Sequence, residues 1–309
     1  MEVLYFFESI RNPVLDFLFS VITLCGEETV FMAIGMIFFW CINKYEGYYL
    51  LSVGFIGTLI NQFLKMLFRV PRPWLKDPSF TIVESAREAA SGYSFPSGHT
   101  QTSVGLFGGI ARISKQKALR IVAIALCILV PISRMYLGVH TPTDVIVSTF
   151  IALALVFLLR PLFLKAEKSP KLMLCIFCSL FALSSAYLLF IGTHQFPSDA
   201  YLPANVPNLI SAKENGFTLI GCMAGLVVVY VVDTLWINFD TKAPLLAQVL
   251  KVVGGLIVVV AAKELLRFPL NALFGEQIGR ALRYFTMVIL AGTVWPLTFK
   301  FFSKLCKKK

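Results

Sequence analysis

The sequence predicts an all-α fold, a polytopic membrane helical bundle, on three observations. Of the 309 residues, 57% are hydrophobic, and the mean hydropathy is +0.77. Only 15% are Asp, Glu, Lys or Arg, against about 25% in ordinary soluble domains. Long apolar runs recur along the whole chain, and so few charges cannot cover a water-soluble surface. The same composition excludes a disordered chain, a collagen-like repeat and a disulfide-stapled secreted fold.

The elements follow in order. The N-terminus, MEVLYFFESIRNP, has no basic n-region and no small-residue cleavage site, so it is not expected to be a cleavable signal peptide. Residues 13–25, PVLDFLFSVITLC, are too short to cross alone. They form either an interfacial helix or, joined to the segment before Pro13, a first span. The expected spans are 29–44, 48–68, 97–112, 119–137, 142–162, 172–192, 217–237, 245–262 and 284–300. A full crossing needs about 20 residues, so flanking residues must complete the shorter cores.

Orientation comes from the basic loops. RISKQKALR carries Arg112, Lys115, Lys117 and Arg120, RPLFLKAEKSPK carries Arg160, Lys165, Lys168 and Lys171, and the C-terminus reads KFFSKLCKKK. The helix count puts all three on one face, which the positive-inside bias makes cytoplasmic. Loops 69–96, 138–141 and 193–216 then face the extracytoplasmic side. The stretch 263–283 should join them, yet it carries Lys263, Arg267, Arg280 and Arg283. Snorkelling along the interface is the simplest account. An anion site or a misplacement of the last two spans are the others. Most of the net charge of +11 is therefore topology signal rather than a nucleic-acid surface. Of the seven cysteines, Cys175 and Cys178 form a C-x-x-C inside LMLCIFCSLF, where helix packing is favoured over zinc or redox chemistry.

Three polar clusters stand out beside these spans. In KMLFRVPRP, Lys65 closes an apolar helix that Pro71 and Pro73 should end near Arg69, leaving Arg72 free to fold back over the helix end. Two cations aimed at one point suit an anion. In PSGHT, Ser97 is the expected N-cap and Gly98 permits close backbone approach. A helix N-terminus suits phosphate, and His99 in the first turn can hand a proton to a leaving oxygen. In SRMYLGVHTPTD, Thr141, Pro142 and Asp144 read as N-cap, N1 and N3 of the next span. His140 and Asp144 are four apart, so the carboxylate can hold one ring nitrogen and orient the other for attack. Arg134 adds a fork-shaped donor for an oxyanion. Taken singly, snorkelling cations and ordinary capped helix starts explain much of this. Together, three cations, a helix N-terminus, two of the three histidines and a carboxylate are equipment for attack on a phosphoryl group. His194, alone in its loop, has no such company.

At these residues the sequence resembles the type-2 phosphatidic acid phosphatase family. Its three-part signature is matched by Lys65…Arg72-Pro73, by Pro96-Ser97-Gly98-His99, and by Ser133-Arg134…His140…Asp144, in order and spacing. The resemblance covers about 13–163. It implies a phosphatase-like membrane core at 1–165, with 166–309 as about four additional C-terminal transmembrane helices. It also implies a metal-independent hydrolase, without cofactor, that works through a phosphohistidine. His140 would be the nucleophile, Asp144 its orienting partner and His99 the acid, then the base. Lys65, Arg72, Ser97, Gly98 and Arg134 would hold the phosphate. The expected substrate is a phosphorylated membrane lipid: an isoprenyl pyrophosphate, phosphatidic acid or phosphatidylglycerophosphate. A lipid phosphotransferase using the same site, and a lipid transporter or binding protein, are the alternatives. A neutral nucleophile and a protonated acid together imply a bell-shaped pH profile.

Overall fold

A computed structural model describes residues 1–88, 90–202 and 205–307. Pro203 of the 193–216 loop, and Lys308 and Lys309 of the basic C-terminus, lie outside the described residues. Among those described, the structure is helical, without strands. Among the described residues, seven helical segments are long and apolar enough to cross a membrane.

The chain opens with three short helices: α1 Glu2–Ser9, α2 Pro13–Leu24 and α3 Glu28–Ile37, the last extended by a π-turn over Phe38–Ile42. Asn12 caps α2 by accepting the N–H groups of Val14 and Leu15, with Pro13 in the first turn where its missing donor costs nothing. The two readings of 13–25 resolve into a third. The run is the first half of a bent pair, meeting the 28–42 helix at 48°. Asp16, the charge in that run, accepts the Tyr136 hydroxyl at 2.6 Å.

Helices α4 Lys44–Phe68 and α5 Pro73–Lys76 follow, then α6 Gly98–Ile113, α7 Lys117–Tyr136, α8 Pro142–Ala166, α9 Pro170–Thr193 and α10 Val206–Val232. Helices α11 Leu245–Leu265, α12 Arg267–Ile289 and α13 Phe299–Lys307 complete the chain. As the prolines dictate, α4 stops at Phe68, and Arg69 turns left-handed at φ 46°.

Three expectations change. The 97–112 span is α6, whose 16 residues reach about 24 Å, short of the roughly 30 Å hydrocarbon layer. It is packed inside the protein, buried from Thr100 to Phe107, so Thr100, Gln101, Thr102 and Ser103 face protein rather than lipid. The 217–237 span begins earlier, at Val206, because Pro207 is accommodated in the first helical turn and the polar stretch through Asn215 is helical. The 263–283 connection is not a loop. Helix α12 starts at Arg267 and kinks at Gly275 (φ 78°), and Arg280 is neutralised by Glu214 of α10 at 2.8 Å. That pairing lets a charge sit within a helix that hydropathy alone placed outside.

The chain forms two compact units. The first comprises residues 1–35, 49–161 and 197–212. In it α7 packs against α6, α2 and α1. Tyr136, fully buried at the end of α7, stacks on Phe19 of α2 with ring centroids 4.3 Å apart. The second comprises 36–48, 162–196 and 213–309. Its core includes a cluster of Tyr48, Phe177 and Tyr230, and the ion pair of Lys44 with Asp233 at 2.7 Å. Trp40 donates to the Ala291 carbonyl and Trp295 to that of Lys251, both at 2.9 Å, tying the 38–42 π-turn and α11 to the stretch after α12.

Candidate active site

The three signature segments meet in the first unit, and local backbone chemistry explains how. The sequence Thr141–Pro142–Thr143–Asp144 forms a capping box. The Asp144 N–H donates to Thr141 Oγ1 at 3.4 Å, and the Thr141 N–H donates back to Asp144 Oδ2 at 2.8 Å. One turn upstream, α7 ends with the Arg134 carbonyl accepting from both Val139 N–H and His140 N–H, at 3.2 and 3.3 Å. Gly138 makes this reversal at φ 81°, where a Cβ would also strike the Arg11 guanidinium at 2.7 Å. The start of α6 joins the cluster through Ser97 N–H, which donates to the Asp144 carbonyl at 3.3 Å.

His140 is buried between opposite partners. Its Nε2 lies 3.0 Å from Arg72 Nη1, and its Nδ1 lies 3.4 Å from Asp144 Oδ2. The same carboxylate oxygen accepts the Ser94 hydroxyl at 2.5 Å. Burial lowers the His140 pKa well below the ordinary 6.5, and the Arg72 charge pushes the same way.

Arg72 is almost completely buried at the start of α5. Its other donors go to backbone carbonyls: Nε to Gly92 at 3.0 Å, Nη2 to Ser91 at 2.7 Å and Nη1 to Val139 at 2.9 Å. Lys65, buried on α4, donates to the Tyr93 carbonyl. Apart from the His140 contact, both cations are held by uncharged carbonyl oxygens and not by a direct carboxylate partner.

Arg134 is fully buried, and only its Nη1 is engaged, donating to Thr23 Oγ1 at 2.8 Å. Its Nε and Nη2 have no hydrogen-bond partner, nor does Nε2 of His99. Buried donors without partners are expensive. Two guanidinium nitrogens left this way suit an oxyanion, and the His99 nitrogen joins them once protonated. Ser97 uses its hydroxyl as the α6 cap, accepting Thr100 N–H at 3.4 Å. Gly98 is the first helical residue, and the nearest atom to a Cβ there would be Asn61 Oδ1 at 4.0 Å.

Residues 45–168 match the model of the PAP2 superfamily, and residues 217–308 match that of the PAP2 superfamily phosphatase transmembrane extension. Phosphatidylglycerophosphatase B of Bacillus subtilis is 32% identical over 49% of this chain and 76% of its own length. The chain belongs to the PAP2 superfamily. Undecaprenyl-diphosphatase BcrC of the same organism is 27% identical over 48% of this chain and 75% of its own. A probable sphingosine-1-phosphate phosphatase of Dictyostelium discoideum is 29% identical over 47% of this chain, which spans only 38% of that relative. No solved structure matches the chain.

Within this PAP2 chain, the structure adds residues that the sequence reading did not name. Thr23 holds Arg134 from 111 positions away, and no local pattern marks that pairing. Ser94 holds Asp144, and its place three residues before Ser97 was the available signal. Gly26, in the break between α2 and α3, lets that turn pass the α6 start, since a Cβ there would stand 3.0 Å from the His99 carbonyl oxygen. His194 packs between Phe190 and Phe196, with ring centroids 4.8 and 4.7 Å away. Among the described residues, no three His, Cys, Asp or Glu side chains are grouped to hold a metal ion.

Proposed function

We propose that this multi-pass membrane protein hydrolyses a phosphate or pyrophosphate ester of a membrane lipid through a phosphohistidine on His140. The observation that carries this reading is the state of His140. Arg72 has donors only, so Nε2 next to it bears the lone pair, and the ring proton sits on Nδ1 toward Asp144. Nucleophile, orienting carboxylate and cations thus occupy one buried site.

In the first step His140 Nε2 attacks phosphorus and forms the N–P bond. The P–O bond to the lipid breaks, and His99 gives its proton to the leaving oxygen. For a pyrophosphate the leaving group is the lipid monophosphate. Phosphate oxygens replace Nε2 as acceptor for Arg72 and take up the idle donors of Arg134. Lys65, the Ser97 cap and the Gly98 N–H neutralise the remaining charge at the helix N-terminus. The negative charge of the incoming phosphate lets His99 carry a proton among three cations. In the second step His99 accepts a proton from water, the water oxygen attacks phosphorus, the N–P bond breaks and phosphate leaves. No step is assigned to a metal.

The relatives' names span phosphatidylglycerophosphatase, undecaprenyl-diphosphatase and sphingosine-1-phosphate phosphatase. These support a phosphorylated lipid delivered from the bilayer. Residues 1–165 then form the catalytic core and 166–309 the added helices. The basic loops support a cytoplasmic C-terminus and an extracytoplasmic site.

The test is phosphate release from a panel of lipid phosphates and pyrophosphates in detergent with EDTA present, alongside acid-labile, base-stable labelling of the protein. Release and labelling should both vanish in His140→Ala. Full turnover by that variant would sink the mechanism, and label passed to another lipid instead of water would mark a transferase.

A further inference from the structure

The second compact unit contains a cavity of about 410 Å³ that the phosphatase reading does not use. Two stretches far apart in sequence wall it: the loop 236–244 between α10 and α11, and residues 296–304 leading into α13.

Both walls are built. Asn238 reverses the chain in a left-handed conformation at φ 39°. Asp233, paired with Lys44, accepts the Phe239 N–H at 3.2 Å. Gln248 Nε2 donates to the Thr241 carbonyl at 2.8 Å. Lys251, fully buried on α11, donates to the carbonyls of Asp240 and Thr241, both at 3.2 Å. The same ammonium lies 4.6 Å from the ring centroid of Phe299 on the other wall. The hollow is thus locked from behind by a buried cation.

Its lining is amphiphilic. Lys242 comes from the loop, and Lys300 and Lys304 are four apart on one face of α13. Asp240 also lines it, its Oδ1 accepting the Lys242 backbone N–H at 2.9 Å. Among the described residues, none of the three ammoniums forms an ion pair with a carboxylate. Beside them, Trp236 and Leu297 are 72% and 64% exposed. The cavity lies at the ends of the candidate spans Val206–Ile237 and Arg267–Leu305 and the start of Leu245–Leu265, where hydrocarbon gives way to head groups. Cations that only mark topology need share no hollow. Here two separate stretches line one preformed cavity with three, against a single carboxylate, next to an exposed indole.

We propose that this cavity binds the phosphate-bearing head group of an anionic membrane lipid, with Lys242, Lys300 and Lys304 on the phosphate and the acyl chains against Trp236 and Leu297. The site is separate from the phosphatase chemistry and binds a phosphodiester that offers no terminal phosphoryl group.

The test uses the full chain in nanodiscs of phosphatidylcholine, with or without phosphatidylglycerol. Retained lipid is counted by native mass spectrometry, and Trp236 is read by quenching from brominated acyl chains, with Trp236→Phe identifying its signal. The Lys242→Gln/Lys300→Gln/Lys304→Gln variant should lose affinity for phosphatidylglycerol by about a hundredfold, with an unchanged unfolding temperature. The corresponding triple Arg variant should keep it. Equal retention by the Gln variant would overturn the proposal. So would a site that takes inorganic phosphate while ignoring phosphatidylglycerol.

Discussion

Arg72 stands 3.0 Å from Nε2 of His140, closer than Asp144 stands to Nδ1 of the same ring at 3.4 Å. A guanidinium only donates, so this contact and the carboxylate fix the same tautomer from opposite sides. The site holds the lone pair where the phosphorus must arrive, in line with the preorganisation that efficient catalysis needs.

That arrangement makes Asp144→Asn informative. The amide keeps the shape but can present an N–H to Nδ1, which favours the wrong tautomer. Turnover should fall by about 10³-fold or more, the scale seen when an orienting carboxylate is neutralised, while KM changes little because Lys65, Arg72 and Arg134 still face the phosphate. Steady-state kinetics on a detergent-solubilised lipid phosphate reads this directly. A variant whose KM rises with kcat intact would instead make Asp144 a binding group.

The pH dependence follows from the depressed pKa of His140. Burial and the Arg72 charge keep the ring neutral below its ordinary 6.5, so the acid limb of kcat/KM should lie below that pH. The sign for folding is the same. Between the lowered folded value and 6.5 the unfolded chain binds a proton that the folded chain refuses. The contribution is therefore complete above pH 6.5 and is lost as the pH falls through that window. Rate profiles and thermal unfolding from pH 4 to 8 check both. An acid limb above 6.5 would contradict a neutral buried His140.

What could be read in advance was whatever depends on neighbours in sequence. The Thr141–Asp144 box, the His140–Asp144 spacing and the helix stop before Arg72 are all encoded within one or two turns. Thr23–Arg134 joins residues 111 apart, and nothing periodic marks it. Hydropathy also misplaced charged or polar helical stretches whose partners lie elsewhere. Arg280 is helical because Glu214 neutralises it. Helix α6 is short and polar because protein, not lipid, surrounds it.

Thr23→Val tests the long-range part of the site. It keeps the side-chain volume and removes the hydroxyl that holds Arg134 Nη1 at 2.8 Å. Losing one hydrogen bond to a buried charged group is worth about 1.5–3 kcal/mol, so kcat/KM should drop by about 10- to 100-fold. Thr23→Ser restores the acceptor and should recover most of the loss. Equal defects in both variants would point to packing at α2 rather than to Arg134.

The ion pair of Lys44 and Asp233 gives a stability prediction confined to the second unit. Asp233 is nearly buried, accepts from Lys44 at 2.7 Å, and also anchors the Phe239 N–H at 3.2 Å. Lys44 lies over the Phe239 ring, 4.2 Å from its centroid, so the ammonium, the carboxylate and the aromatic face form one cluster. Removing only the carboxylate strands a largely buried cation, which costs about 3–5 kcal/mol. Asp233→Ala should therefore unfold at a clearly lower temperature in detergent. The double variant Asp233→Ala/Lys44→Met should recover part of the loss, because no charge is then left without a partner. A double variant no more stable than the single one would show that the Phe239 backbone anchor, and not the ion pair, is the larger contribution of Asp233.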